Sequence, residues 1–255
     1  MSGFQGKVVV ITGGAGEIGK AAAKLLSAEG ADVLMVDRDA KALDAAVAEI
    51  GSEQVVAYVA DVTEVASTQA YVRAAVDRFG GIDVLLSNAG IEGKVAPIFD
   101  ADPADFDRVI AVNVRGVWLS LKYAIPEMRK RGGGSIVISS SIAGLRGTAG
   151  VTPYVTSKHA VIGMMRAVAL ECAPFNIRVN TVNPSPVETR MMRSLEEGLM
   201  PGKAEEVHTM LKAMIPLQRY AEADDVAKLM RFLACDDSAF ITGSVYSVDG
   251  GLNAA

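Results

Sequence analysis

Five short runs rich in valine and isoleucine recur along the chain, and a helix-like stretch separates each from the next. Val8 to Ile11, Val33 to Val36, Val55 to Val59, Ile82 to Leu86 and Ile136 to Ile138 are apolar at successive positions rather than at alternate ones. Strands of that kind have both faces covered, as in a parallel sheet packed between two layers of helices. The intervening stretches Ile18 to Ala28, Lys41 to Ile50 and Val65 to Phe79 carry apolar residues three or four apart, the spacing of a helix with one buried face. Asp224 to Ala234 does the same with Val226, Leu229, Met230 and Leu233. Asp102-Pro103 is a helix start, with a capping carboxylate, proline in the first turn and Asp105 favourably placed beyond it. Thr152-Pro153 repeats that signal.

Alternation of this kind from residue 7 to about 182 predicts an α/β fold, a doubly wound sheet with right-handed crossovers. The 255 residues suffice for one such domain, 1–255, and no linker or repeat divides it. One stretch, from about Pro184 to Pro216, looks irregular and contains Gly198, Pro201 and Gly202. A segment of that length in a compact domain is usually functional, so 186–216 is expected to form a lid over a substrate.

The first strand runs into Thr12-Gly13-Gly14-Ala15-Gly16-Glu17-Ile18-Gly19, and a helix follows at once. Glycines let the chain turn sharply and bring its backbone close to a pyrophosphate, which the N–H groups at the helix start then bind. Gly13, Gly16, Glu17 and Ile18 are the expected cradle. Eighteen residues after Gly19 the second strand ends at Asp37. A carboxylate there accepts hydrogen bonds from both hydroxyls of an adenosine ribose and repels a 2′-phosphate, which favours NAD over NADP. Arg38 follows directly and softens that preference.

Bulk composition narrows the classes. A formal net charge of −5 argues against a broad basic face for nucleic acid or anionic lipid. Cys172 and Cys235 form no close-spaced pair, and neither the Met1–Lys7 stretch nor any later run has the apolar length of a leader or a membrane span. A cytoplasmic location with no membrane or nucleic-acid partner is the expectation. His159 and His208 have no cysteine or acidic cluster at metal-ligand spacing, so no metal site is expected.

Ser141 lies just after the fifth strand in Ser140-Ser141-Ile142-Ala143-Gly144, and Tyr154 follows thirteen residues later at a helix start, with Lys158 four residues beyond it. That spacing places phenol and ammonium on one helical face. Removing a hydroxyl proton during hydride transfer needs a base, and a phenol with an ordinary pKa of about 10 is a poor one near neutrality. A neighbouring ammonium is expected to lower that value. Ser141 is placed to hydrogen-bond a substrate oxygen and stabilise developing charge.

Taken together these motifs resemble the short-chain dehydrogenase/reductase family, in its compact branch of roughly 250 residues, from Lys7 to about Gly251. The resemblance implies a Rossmann-type domain with a parallel seven-stranded sheet flanked by helices, NAD as cofactor, and interconversion of a secondary alcohol and a ketone. It assigns catalysis to Asn113, Ser141, Tyr154 and Lys158, with Lys158 also holding the nicotinamide ribose and Asn113 bending its helix and holding a water of a proton relay. Asp61-Val62 is implied beside the adenine. Asn88-Ala89-Gly90 is implied to steady the sheet near the ribose. Pro184, Val187 and Thr189 are implied around the nicotinamide carboxamide. Two positions depart from the pattern, Glu17 and Ser185 standing where the family usually has glycine. Glu17 is either a carboxylate that weakens cofactor binding or a first-turn acid favoured by the helix dipole. The family also implies a homotetramer built through paired helices and the Ser247–Gly251 edge.

Other readings stay open at this stage. The same family contains 3-oxoacyl-[acyl-carrier-protein] reductases, against which Asp37 and the acidic balance count. A non-catalytic NAD-binding regulator is a third reading. Met191, Met192, Met200, Met210 and Met214 suit either a hydrophobic substrate or the packing of two short helices. Arg146, Arg190 and Arg193 are either surface groups or a clamp for an anionic substrate.

Overall fold

A computed structural model describes residues 3–254; Met1, Ser2 and Ala255, at the two ends of the expected domain, lie outside the described residues. Seven strands form one parallel sheet: β1 (Val8–Thr12), β2 (Asp32–Asp37), β3 (Val55–Val59), β4 (Val84–Ser87), β5 (Gly134–Ser139), β6 (Ile177–Pro184) and β7 (Val245–Val248). Their order is β3-β2-β1-β4-β5-β6-β7. The chain walks outward from β1 to β3, then returns to the other side of β1, and ligands of such sheets bind where that direction reverses, at the carboxyl ends of the strands.

The helices are α1 (Glu17–Ala28), α2 (Ala40–Ile50), α3 (Val65–Phe79), α4 (Pro103–Ile110), α5 (Val117–Lys130), α6 (Thr152–Cys172), α7 (Arg190–Leu199), α8 (Ala204–Met214) and α9 (Ala223–Ala234). A π-helical turn, Ala111–Gly116, joins α4 to α5. All five residues of β1 are buried. Val9 and Ile11 enter one core with Leu26 of α1, Leu43 of α2 and Met230 of α9. Val10 enters the other, with Val72 of α3, Leu121 of α5 and Met165 of α6. Each fully buried aliphatic side chain of this kind stabilises the fold by about 1.5–3 kcal/mol, which is why the pattern of continuous apolar runs was so informative.

Local signals explain most helix starts. Asp39 caps α2 by accepting from Ala42 N at 3.0 Å, and Asp102 caps α4 by accepting from Ala104 N at 2.9 Å with Pro103 in the first turn. Helix α6 differs by one residue from its expected start: Val151 is the cap and Thr152 the first helical residue. The stretch read as irregular is the larger correction, because residues 190–199 and 204–214 are helical. Helix α7 starts at a threonine cap, Thr189, whose Oγ1 accepts from Met192 N at 3.2 Å.

Candidate active site

The glycine turn between β1 and α1 is shaped by what it leaves out. Gly13 has φ +66°, and a Cβ there would stand 2.8 Å from the Ala89 Cα. A Cβ on Gly19 would stand 2.3 Å from the Gly13 carbonyl oxygen. Gly16 caps α1, and its N–H donates to Gly13 O at 3.3 Å. Ile18 is half-buried against the first core. The first-turn N–H groups of α1 have no partner inside the helix and face the carboxyl end of the sheet, an arrangement that fits a dinucleotide's pyrophosphate.

Beside this turn a cleft is lined by Gly13, Asp37, Arg38, Asp61, Val62, Ala89 and Gly90, among others. Asp37 is held there by two backbone donors, Ala15 N to Oδ2 and Asp39 N to Oδ1, both at 3.1 Å. One interaction on each oxygen leaves the carboxylate free to accept further hydrogen bonds, which fits a ribose diol. Asp61 spends Oδ1 on the N–H and hydroxyl of Thr63, both at 2.8 Å. A wider groove at the opposite end of the sheet, lined by Pro126, Arg129, Lys130 and Phe175, contains none of the expected residues.

Asn88 ties the centre of the sheet together. Its Nδ2 donates to Gly13 O at 3.2 Å, its Oδ1 accepts from Ser139 Oγ at 2.9 Å, and its N–H donates to Thr12 Oγ1 at 3.1 Å. Ala89 N donates to the same threonine at 3.2 Å.

Asn113 sits in the π-helical turn and is buried. Its Oδ1 accepts from Ile91 N at 2.8 Å, and its Nδ2 donates to Ile91 O at 2.9 Å and Ser157 Oγ at 3.0 Å. Both amide hydrogens are therefore committed, and the side chain braces the loop after β4. Asn113 Oδ1 lies 3.4 Å, and Lys158 Nζ 3.5 Å, from the point where a Cβ on Gly90 would stand, so the two groups flank one stretch of backbone.

Ser141, Tyr154 and Lys158 come together at the carboxyl ends of β5 and β6. Ser141 Oγ accepts from Ala143 N at 3.1 Å and donates to Pro184 O at 3.4 Å. Lys158 Nζ stands 5.4 Å from the centroid of the Tyr154 ring and donates to Ser139 O at 2.8 Å. The electrostatics overturn one expectation. The Tyr154 phenol lies above its ordinary value rather than below it. Burial pushes Tyr154 up to about 12, the Ser141 hydroxyl pulls it back and the Glu92 carboxylate pushes it further up. Burial also pulls Lys158 down to about 8. The ammonium donates to a carbonyl, and loss of water dominates for both groups.

Val187 is buried and forms a parallel bridge with Ala221. Thr189 Oγ1 donates to Val187 O at 3.2 Å in addition to capping α7. The hydroxyl expected to meet a carboxamide thus holds its own loop in this structure. Glu17 reaches the start of α7: its Oε1 accepts from the Arg190 N–H at 2.9 Å. Of the three arginines considered as clamps, Arg193 is committed to Glu188 and Glu196, and Arg146 donates to Leu252 O at 3.3 Å. Met192 packs on the cluster containing Ile142 and Tyr220, whereas Met210 and Met214 are exposed. His159 is exposed, and no group of three or more potential ligands for a metal occurs among the described residues.

Sequence reasoning missed three residues that shape this site. Ser139 supplies the carbonyl that holds Lys158, and Asn183 donates to Ser141 O at 3.0 Å. Glu92 places a charge near Tyr154. Asn183, a polar residue inside an apolar strand, carried a sequence signal; the other two did not.

The comparisons with known proteins agree with this geometry. Residues 13–253 match a family model described as enoyl-(acyl carrier protein) reductase. Levodione reductase of Leifsonia aquatica is 37% identical over 99% of this chain and 96% of its own length, and its crystal structure superposes with a TM-score of 0.97, covering 99% of both chains. The 3-oxoacyl-[acyl-carrier-protein] reductase FabG of Thermotoga maritima is 42% identical over 98% of each chain. A crystal structure of NAD+-bound xylitol dehydrogenase, 34% identical, gives a TM-score of 0.91 over 97% of this chain and 99% of that one. With a match that spans nearly every residue and a sheet, turn and Ser-Tyr-Lys cluster in their expected places, the chain belongs to the short-chain dehydrogenase/reductase family.

Proposed function

We propose that this protein is an NAD-dependent oxidoreductase that interconverts a secondary alcohol and a ketone. The observation that carries the reading is the convergence of Ser141, Tyr154 and Lys158 beside a cleft that Asp37 lines. Levodione reductase and the NAD+-bound xylitol dehydrogenase support it, since both names describe carbonyl or carbinol chemistry. FabG keeps an acyl-carrier-protein substrate as the second reading. Asp37 counts against it through the preference for NAD, as does the net charge of −5 against an acidic carrier.

NAD, when bound, supplies the hydride acceptor or donor, and the protein supplies orientation and charge. The first turn of α1, with Gly13, Gly16 and Ile18, holds the pyrophosphate, and Asp37 holds the adenosine ribose. Asp61, Val62, Asn88, Ala89 and Gly90 form the adenosine wall. Pro184, Val187 and Thr189 hold the nicotinamide end. At Tyr154 a phenol near 12 is protonated throughout the neutral range, which prepares it to donate to a ketone oxygen. In the oxidative direction Tyr154 first loses its own proton to solvent; the phenolate Oη then takes the alcohol's hydroxyl proton and returns to the neutral phenol, while Lys158 would hold the nicotinamide ribose beside it. Ser141 Oγ fixes the substrate oxygen. Asn113 braces the loop that carries Gly90 and Ile91. Residues 186–216 form the substrate lid.

Two wider readings accompany this one. The exposed Trp118 on α5 and Leu170 on α6, with Phe240 before β7, supply apolar surface for a homotetramer, which sedimentation would test. No helix among the described residues is long and apolar enough to cross a membrane. Two buried free cysteines suit a reducing, cytoplasmic setting.

The deciding experiment follows the NADH absorbance band over a panel of secondary alcohols and ketones, with NAD and NADP compared. Turnover with NAD and its loss by at least about a hundredfold in Tyr154→Phe is the expected result. A strong preference for NADP, or an unaffected Tyr154→Phe variant, would overturn the reading.

A further inference from the structure

Glu17 is the one residue of the glycine turn that departs from the pattern the rest of the turn follows, and its carboxylate has a defined partner. Oε1 accepts the main-chain N–H of Arg190 at 2.9 Å, across 173 residues of sequence. Among the described residues no other hydrogen bond joins the turn 12–20 to the segment 184–200. Arg190 is the first residue of α7, so its N–H is one of the donors that the helix cannot satisfy by itself. Thr189 takes the Met192 N–H of the same turn. The cap of α7 is therefore composite, half of it local and half delivered from the far side of the site. A negative group is favoured at a helix N-terminus, so the charge of Glu17 strengthens the contact.

The location gives this contact a consequence. Glu17 opens α1 directly behind the phosphate cradle, while Arg190 follows Val187 and Thr189. We infer that Glu17 is a positioning residue that clasps the start of α7 to the glycine turn, fixing the Val187–Thr189 stretch and the lid behind it, at some cost in affinity for an anionic cofactor. The inference rests on the proposed dinucleotide site for its kinetic consequence but not for the clasp itself.

Three variants separate the effects. Glu17→Gly and Glu17→Ala remove both the charge and the acceptor, and the alanine variant does so without adding backbone freedom. Glu17→Gln removes the charge but keeps a carbonyl oxygen that can accept from Arg190 N. Hydrogen exchange on the cofactor-free protein reads the clasp directly. Amides 190–193 should exchange about three- to tenfold faster in the alanine and glycine variants, the effect of one exposed hydrogen bond, and close to the native rate in Glu17→Gln. In steady-state assays with a turned-over alcohol, the alanine and glycine variants should raise the substrate KM several-fold with a smaller change in kcat, and Glu17→Gln should restore it. Titration with NADH should show equal or tighter binding in all three.

Native exchange at 190–193 in Glu17→Ala would overturn the clasp. Faster exchange with an unchanged substrate KM would overturn the positioning role. Failure of Glu17→Gln to restore either reading would show that charge alone acts. A protein in which no variant, nor the native chain, turns over any alcohol would count against the functional reading, and the exchange result would still decide the clasp.

Discussion

The two sides of the site are built by opposite means. The turn 12–19 is almost pure backbone: Gly14 N donates to Val36 O at 3.0 Å, Gly16 N to Gly13 O at 3.3 Å, and side chains are excluded at Gly13 and Gly19. The segment 186–221 is held by side chains. Glu196 is fully buried in α7, accepting from Tyr220 Oη at 2.9 Å and Arg193 Nη1 at 3.0 Å, with His208 Nδ1 at 3.0 Å. Arg193 also reaches Glu188 at 2.8 Å. Burial and the neighbouring Glu196 carboxylate push the Tyr220 phenol far above its ordinary range. The ends of the segment meet, Glu188 N donating to Ala221 O at 2.9 Å and Ala221 N to Pro186 O at 3.0 Å. A phosphate cradle works by close, immovable approach. A segment whose polar groups are spent on one another can stay intact while its attachment to the sheet changes, which is what the proposed lid requires.

The harshest test of that contrast is a single methyl group. Gly19→Ala places a Cβ 2.3 Å from the Gly13 carbonyl, against backbone that has no rotamer with which to yield. Overpacking of this kind typically costs about 1–3 kcal/mol, and here the turn itself must shift. NADH titration should show binding weakened by about a hundredfold or more, with a lower thermal midpoint. An alanine at Gly198 in α7 is the control, because its Cβ meets only the side chain of Val95 at 2.7 Å and should leave cofactor binding unchanged.

Lys158→Met should separate function from stability at the chemical centre. Activity should fall by about 10²–10⁴-fold, yet the protein should become more stable. Lys158 is buried and its folded pKa lies near 8, below an unfolded value of about 10.4. Below pH 8 the ammonium is charged in both states, and folding carries its full cost of burial. Between about 8 and 10.4 the unfolded chain holds more protons, so native stability rises with pH. The advantage of methionine, about 1–3 kcal/mol, should therefore be complete at pH 7 and absent above about pH 10.4. Thermal unfolding at both pH values checks it, and a destabilised variant at pH 7 would show that the Ser139 carbonyl contact outweighs desolvation.

How far the sequence could be read follows the same division. β1 was expected at Val8–Ile11 and runs Val8–Thr12, and α3 was expected and found at Val65–Phe79. These elements repeat one local signal, apolar residues at a fixed period. The glycine turn and Tyr154–Lys158 were equally legible, because each is complete within eight residues. The sign of the Tyr154 shift was not, because it depends on burial and on Glu92, which no local spacing reveals. Glu188, Arg193, Glu196, His208 and Tyr220 each resemble a surface residue when read singly. Only the folding back of α8 onto α7 makes them one network, so the segment looks irregular in the sequence. Thr189 carries two signals at once, a helix cap and a position implied at the carboxamide, and the cap is the one its hydroxyl serves here.

Glu196→Ala tests whether the segment 186–221 is a unit in its own right. Removing the hub leaves the buried Tyr220 hydroxyl without its acceptor, a loss of about 1–3 kcal/mol. If 189–220 is closed on itself, that loss appears as faster hydrogen exchange across those residues and a rise of about tenfold in substrate KM, with little change in the global thermal midpoint. A midpoint that falls in step with the exchange rates would place the network in the main core and erase the contrast.

The mildest effect is expected at Glu92, on the loop after β4. Ile91 before it is held by Asn113 at both N and O, and Lys94 N after it donates to Asp105 at 2.7 Å. The half-buried carboxylate is thus carried by a fixed loop, and its charge pushes the Tyr154 phenol up. Glu92→Gln removes that charge at nearly constant volume. Oxidation of an alcohol needs the phenolate, so its rate rises with pH through the Tyr154 pKa, and a lower pKa moves that limb toward acid. The alkaline limb of kcat/KM should shift toward acid, and the limb for ketone reduction should shift in the same direction, because the acid form is lost earlier. Two limbs that move in opposite directions cannot arise from one phenol and would assign the proton transfer to a group other than Tyr154.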